Sequence, residues 1–224
     1  MPFSLSGIMQ MNSTDAKSII DKTITLILNS YMETHTVVYG SIVERSIGLN
    51  VIPSDIDVIL VNTKEVMAGQ IDGLLMEIDY LNLEDLIHEI YNEPKMLLCE
   101  SSIDLEPYFD VTKVRSSVSN VCSKAYNKGK KKLIVSTDYD EYLGLKNLYH
   151  AMKFPYFAKW KFINKGYPPE DIEYLNNIRS KIFRTYEQST GTLEERFESV
   201  NEWLKPEFNK VMTEFRKYFP KVKE

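Results

Sequence analysis

Cysteine is nearly absent from this chain. Cys99 and Cys122 form no Cys-x-x-Cys pair, and only three histidines accompany them in 224 residues. Neither a disulfide framework nor a zinc site is indicated. So few cysteines fit a reducing compartment, and a cytoplasmic location is expected. Long apolar runs are missing too, with none approaching the ~18 residues that span a bilayer. The opening stretch, "MPFSLSGIMQMNSTD", lacks the basic region and apolar core of a secretory signal. A soluble protein with no membrane partner is expected. Basic charge is not in excess either: 27 Lys and Arg stand against 32 Asp and Glu, a net of −5. That excludes the global basic footprint of a general nucleic-acid coat protein and leaves any such contact to a local patch. No internal repeat or low-complexity linker occurs. Nothing in the sequence marks an oligomeric state.

What is present is ordinary for a globular protein, with 43% hydrophobic and 26% charged residues. The length suffices for one large domain or two small ones. "STDAKSIIDKTITLILNSYMET" opens on helix-capping residues and places Ile19, Ile20, Ile24, Leu26, Ile27 and Tyr31 at helical spacing. A first helix over about residues 14–31 is predicted. "HTVVYGS" reads as a short strand ending at Gly40-Ser41, with a helical turn or loop after it. Pro53-Ser54 breaks the chain before a second strand, "DIDVILVN". "EVMAGQIDGLLMEIDYLNL" reads as two extended runs around an Asp72-Gly73 hairpin turn. "NLEDLIHEIYNE" has helical spacing and is closed by Pro94.

Then the texture changes. Residues 110–135, 139–166, 169–191 and 192–219 are helix-like blocks separated by caps, Gly or Pro. Leu145, Leu148, Tyr149 and Met152 follow the 3.6-residue period of an amphipathic helix. The expected architecture is α+β: a small mixed-sheet domain over residues 1–92 and a helical domain over 93–224, tightly packed.

The unusual feature is "DIDVILVN". Residues two apart share a face of a strand, so Asp55 and Asp57 project together while Ile56 and Val58 point to the core. A solvated strand end is the plainer account of an isolated Asp-x-Asp. Here, however, Gly40-Ser41 closes the preceding strand, where glycine lets backbone approach a ligand and exposed amides can hold phosphate oxygens. Glu77 and Asp79 again share a face on a third acidic strand. Three carboxylates converging on one edge repel by roughly a few kcal/mol at an effective dielectric near 20. Magnesium, which takes a few carboxylates together with substrate phosphates, would remove that repulsion.

Tyr39-Gly40-Ser41, then thirteen residues, then Asp55-Ile56-Asp57-Val58, and later Met76-Glu77-Ile78, resembles the DNA-polymerase-β-like nucleotidyltransferase superfamily. "MEIDYLNLEDLIHEIYNEPKML", "KNLYHAMKFPYFAKWKFINKG" and "NNIRSK" are similar to its RNA-repair-associated branch in bacteria and phages. The resemblance spans most of residues 37–185, with motifs dense only in the first 80. "NEPKMLLCESSID" departs from the branch's Glu-Leu-Leu texture.

The resemblance implies a polymerase-β-like palm that moves a nucleoside monophosphate from a nucleoside triphosphate to an acceptor and releases pyrophosphate. Asp55 and Asp57 would bind two magnesium (or manganese) ions bridging the triphosphate. Glu77 would complete the second metal site and help deprotonate the attacking group, with Asp79 an open alternative. Gly40 and Ser41 would hold the β and γ phosphates. A nucleic-acid end, RNA or tRNA, is the favoured acceptor, and polypeptide or small-molecule acceptors stay open. Two other readings compete: a catalytically silent nucleotide- or nucleic-acid-binding module, and an interaction protein such as an antitoxin.

In the second half, Lys146, His150 and Lys153 fall at i, i+4 and i+7 on one helical face. They are candidates for contacting triphosphate or acceptor; the alternative is an exposed amphipathic surface with a half-buried histidine. Lys128, Lys130, Lys131 and Lys132, with Arg115 and Lys124 upstream, form the one dense basic patch. It is a candidate phosphate-tracking site, though such runs are also commonly solvated helix ends. Most aromatics from Tyr139 to Trp160 are expected in the core, and Cys122 as a small packed residue.

Overall fold

Asn12 starts the first helix. Its side-chain oxygen accepts the Thr14 and Asp15 amides at 2.8 and 2.9 Å, and Asp15 accepts the Asn12 amide at 3.2 Å. This reciprocal cap lies one residue before the Ser-Thr-Asp run read from the sequence. Helix α1 (Ser13–Ser30) then buries Ala16, Ile19, Ile20, Thr23 and Ile27. Leu26 falls off this stripe and stays 43% exposed. Tyr31, expected to end the stripe, lies outside the described residues. The computed structural model describes residues 11–30, 35–61, 69–92, 94–108 and 110–221.

Strand β1 (His35–Tyr39) leads through Gly40 into the short helix α2 (Ser41–Ser46). Strands β2 (Ile56–Val61), β3 (Gln70–Ile71) and β4 (Leu74–Leu81) follow, then helix α3 (Leu83–Asn92) and β5 (Cys99–Ser101). The sheet order is β3-β4-β2-β1-β5. β2 and β4 run parallel, while β1 is antiparallel to both β2 and β5. In the central strand β2, Ile56 and the run from Val58 to Val61 are all buried, as a strand covered on both faces requires. Asp72 and Gly73 both have positive φ, 50° and 88°, the primed-turn geometry that matches strand twist. The expected hairpin forms there, although most of its first arm (residues 65–71) lies outside the described residues.

The chain divides into two compact units at Phe109/Asp110. The boundary read from the sequence, after residue 92, moves downstream because β5 pairs with β1, Val37 opposite Ser101 and Tyr39 opposite Cys99. Three residues with no strong alternation give a strand little local signature; long-range pairing supplies it.

The second unit contains helices α4 (Val111–Ile134), α5 (Glu141–Lys159), α6 (Pro169–Gln188) and α7 (Leu193–Tyr218). Asp110 caps α4, Asp140 caps α5, and Thr192 with Glu195 forms a capping box on α7. α4 and α5 cross where two glycines meet: a β-carbon on Gly129 would lie 2.8 Å from the Gly144 carbonyl oxygen. The block expected as one helix over 139–166 widens after Lys159 into a π turn over Trp160–Asn164. Trp160 is anchored there by donating to Asp171 at 2.9 Å. Cys122 is fully buried, and burial pushes its thiol pKa up. It is a packing residue, as expected.

The units differ sharply in charge. Residues 1–109 hold 5 Lys and Arg against 17 Asp and Glu, and residues 110–224 hold 22 against 15. The modest net of −5 thus conceals an acidic sheet unit and a basic helical unit. The fold is α+β, with a mixed five-stranded sheet preceding a helical unit, as expected.

Candidate active site

Register brings the acidic residues together. Asp57 on β2 stands opposite Tyr39 on β1 and opposite Glu77 on β4, and Ile59 stands opposite Asp79. Residues paired across strands share a face, and so do residues two apart. Asp57, Glu77 and Asp79 therefore lie on one face of the sheet. The other face of β4 carries Leu74 and Met76, which are buried, whereas Glu77 and Asp79 are exposed. Asp55 sits at the bend just before β2, half-buried, and accepts the Ser54 hydroxyl at 2.8 Å.

Gly40 is where the site constrains the backbone most tightly. A β-carbon there would fall 1.8 Å from an Asp57 carboxylate oxygen, and its φ of +79° lies in the left-handed region. Only glycine meets both demands without strain. Asp57 thus lies against the β1–α2 turn, with Ser41 half-buried as the first residue of α2.

Sequence reasoning missed Lys95. It follows Pro94 in a short 3₁₀ turn over Pro94–Leu97, and its ammonium lies 3.8 Å from Asp57 and 4.8 Å above the Tyr39 ring. The ammonium therefore brings positive charge to the acidic face. The available signal was scarcity: Lys95 is one of only five cations before residue 110. Among the described residues, no three of His, Cys, Asp and Glu are gathered closely enough to hold a metal ion. The carboxylates are the hard oxygen donors that magnesium or manganese takes. They share a face, but their side chains do not converge into one cage.

The second-half candidates sit in the other unit. Lys146 and His150 on α5 are half-buried, with the His150 ring 5.3 Å from that of Phe154. Lys153 is only 3% exposed, its ammonium 5.4–5.6 Å from the rings of Tyr149, Phe154 and Phe157. The alternative of an exposed amphipathic surface with a half-buried histidine holds for His150 but not for Lys153, which is buried. Helical spacing gave their angle around the axis but not the aromatic packing that encloses Lys153.

The basic patch also resolves into separate roles. Arg115 donates to the main-chain carbonyls of Arg216 and Phe219 at the end of α7. Lys131 and Lys132 both pair with Asp138, at 3.3 and 2.6 Å, and hold its carboxyl below the usual carboxylate range. Lys130 lies over the Phe197 ring, while Lys124 and Lys128 are exposed.

No family model matches the chain, and no curated protein is similar to it in sequence. Among solved structures it is similar to a nucleotidyltransferase-like protein from Exiguobacterium sibiricum. That match has 13% identity and a TM-score of 0.36, covering 89% of this chain and 77% of the other.

Proposed function

We propose that the chain is a metal-dependent nucleotidyltransferase of the polymerase-β-like superfamily. It would move a nucleoside monophosphate from a nucleoside triphosphate to an acceptor, most readily the end of an RNA, and release pyrophosphate. The observation that carries this reading is the register of β2 and β4, with Asp57 opposite Glu77 and the face continued by Asp79, beside a glycine turn that Asp57 touches.

In this reading Asp55 and Asp57 hold magnesium or manganese, with Glu77 or Asp79 as the third carboxylate. When bound, the ions would neutralise the carboxylates and the triphosphate and polarise the reacting phosphoryl group. The chain's own residues do the rest. The Gly40–Ser41 turn contributes backbone amide and hydroxyl to the phosphates. Glu77, exposed on β4, takes the proton from the attacking hydroxyl. On the helical unit, Lys146 and His150 are candidates for contacting the acceptor, a role that does not suit Lys153, which is enclosed by rings. The charge of the helical unit favours a polyanionic acceptor.

One observation favours a second reading, a binding module without turnover. Lys95 lies against Asp57, and the described carboxylates do not converge. Pyrophosphate release separates the two. It would be followed for each of the four ribonucleoside triphosphates, with Mg²⁺ or Mn²⁺ and pooled small RNA. Release that requires metal and is lost in Asp55→Ala/Asp57→Ala is the expected result. Metal-dependent triphosphate binding without release, across RNA, DNA and protein acceptors, would establish the binding module instead.

A further inference from the structure

Helix α4 carries seven lysines and arginines and not one aspartate or glutamate over its 24 residues. At ~1.5 Å per residue it is a basic rod roughly 36 Å long. Beside its N-terminal half, against the end of α7, lies a cavity of about 680 Å³. Arg115, Arg216 and Lys221 line it with three cations, Ser119 and Asn120 add neutral donors, and among the described residues no carboxylate lines it. The Arg115 guanidinium is held by the Arg216 and Phe219 carbonyls, so this cation is fixed at the wall.

Two features favour a strand over a single phosphate. The cavity's polar residues on α4 run from Thr112 to Asn120, a row of about 12 Å at the helical rise, longer than one phosphate group. The charge also continues beyond it, because Lys124 and Lys128 are exposed one turn apart farther along the same helix. We propose that this cavity, extended by Lys124 and Lys128, is the track that holds the phosphate backbone of a single-stranded RNA. The proposal deepens the acceptor half of the function above and rests on that reading for its biological role, but the binding needs no turnover.

The test is fluorescence anisotropy of a labelled single-stranded RNA on the full chain, from low to physiological salt. Arg216→Ala/Lys221→Ala and Lys124→Ala/Lys128→Ala are the variants, with thermal melts by circular dichroism to verify folding. Arg115 is left intact because it holds the end of α7. Each double variant is expected to weaken binding about tenfold or more at low salt, and to flatten the log–log salt slope by about 1.4, near 0.7 per lost phosphate contact. Wild-type affinity in Arg216→Ala/Lys221→Ala would overturn the proposal. So would displacement of the RNA by ATP or pyrophosphate at equal phosphate concentration, which would mark a site for free polyphosphate.

The Asp55→Ala/Asp57→Ala variant separates this proposal from the transferase reading. RNA binding that survives there, with pyrophosphate release lost or never present, supports the track whatever the fate of catalysis. Pyrophosphate release onto another acceptor by a wild type that binds no RNA would overturn the track and leave the transferase standing.

Discussion

A single methyl group tests the constrained turn. In Gly40→Ala the new β-carbon would meet the Asp57 carboxylate at 1.8 Å while the backbone stays at φ +79°. Both effects act together, so a loss of about 1–3 kcal/mol is expected in urea unfolding, with Asp57 displaced. Lys95→Met probes the neighbouring charge. It removes an ammonium 3.8 Å from Asp57, so Mn²⁺ binding, read by electron paramagnetic resonance, should tighten relative to the wild type. Unchanged Mn²⁺ affinity would show that Lys95 and the ion do not share Asp57. The Asp-x-Asp, the Gly-Ser and the third acidic strand were all legible in the sequence, because strand alternation assigns faces from spacing alone. Lys95 was not, since nothing local ties a lysine after Pro94 to an aspartate 38 residues earlier. Lys153 shows the converse: its position on α5 was legible, its aromatic enclosure was not.

Between elements, the crossing of α4 and α5 makes the sharper prediction. Gly129→Ala would drive a β-carbon against the Gly144 carbonyl, which is main chain and has little room to move. Gly144→Ala would meet the Leu133 side chain at 2.6 Å, and a leucine can change rotamer. Gly129→Ala should therefore cost about 1–3 kcal/mol in chemical denaturation and Gly144→Ala distinctly less. Equal costs would mean that the helices separate as a unit instead of adjusting locally. The helices were visible beforehand through period and caps, yet the glycines that let two of them approach were not. A glycine inside a helical pattern looks the same whether it weakens the helix or admits a neighbour. Strand β5 was hidden for a related reason, as three residues become a strand only through β1.

Across the whole chain, the split in charge predicts an asymmetric response to acid. Asp110, Asp138 and Glu195 all have pKa values lowered in the folded chain, Asp110 chiefly by the Thr112 hydroxyl, Asp138 by Lys132, and Glu195 by the Thr192 amide. All three lie in the helical unit. A carboxyl depressed by folding stabilises the native state above its unfolded pKa and loses that contribution as pH falls through the folded value. The helical unit should weaken as pH drops below the ordinary carboxylate range. In the sheet unit, with 17 acidic residues against 5 basic, protonation also relieves self-repulsion. Both tryptophans, Trp160 and Trp203, belong to the helical unit, so tryptophan fluorescence reports on it selectively. Its thermal midpoint should fall from pH 7 to pH 3; a midpoint that holds steady would show that these carboxylates are not stabilising.

Periodicity, capping residues and turn chemistry act over a few residues, and they were enough to lay out most helices and strands, the two-part organisation and the acidic faces. Register, enclosure and the boundary between units depend on partners far along the chain. That is why the pairing of Asp57 with Glu77, the approach of Lys95, the anchoring of Arg115 at the end of α7 and the point where one unit gives way to the next emerged only once the strands were paired and the helices packed.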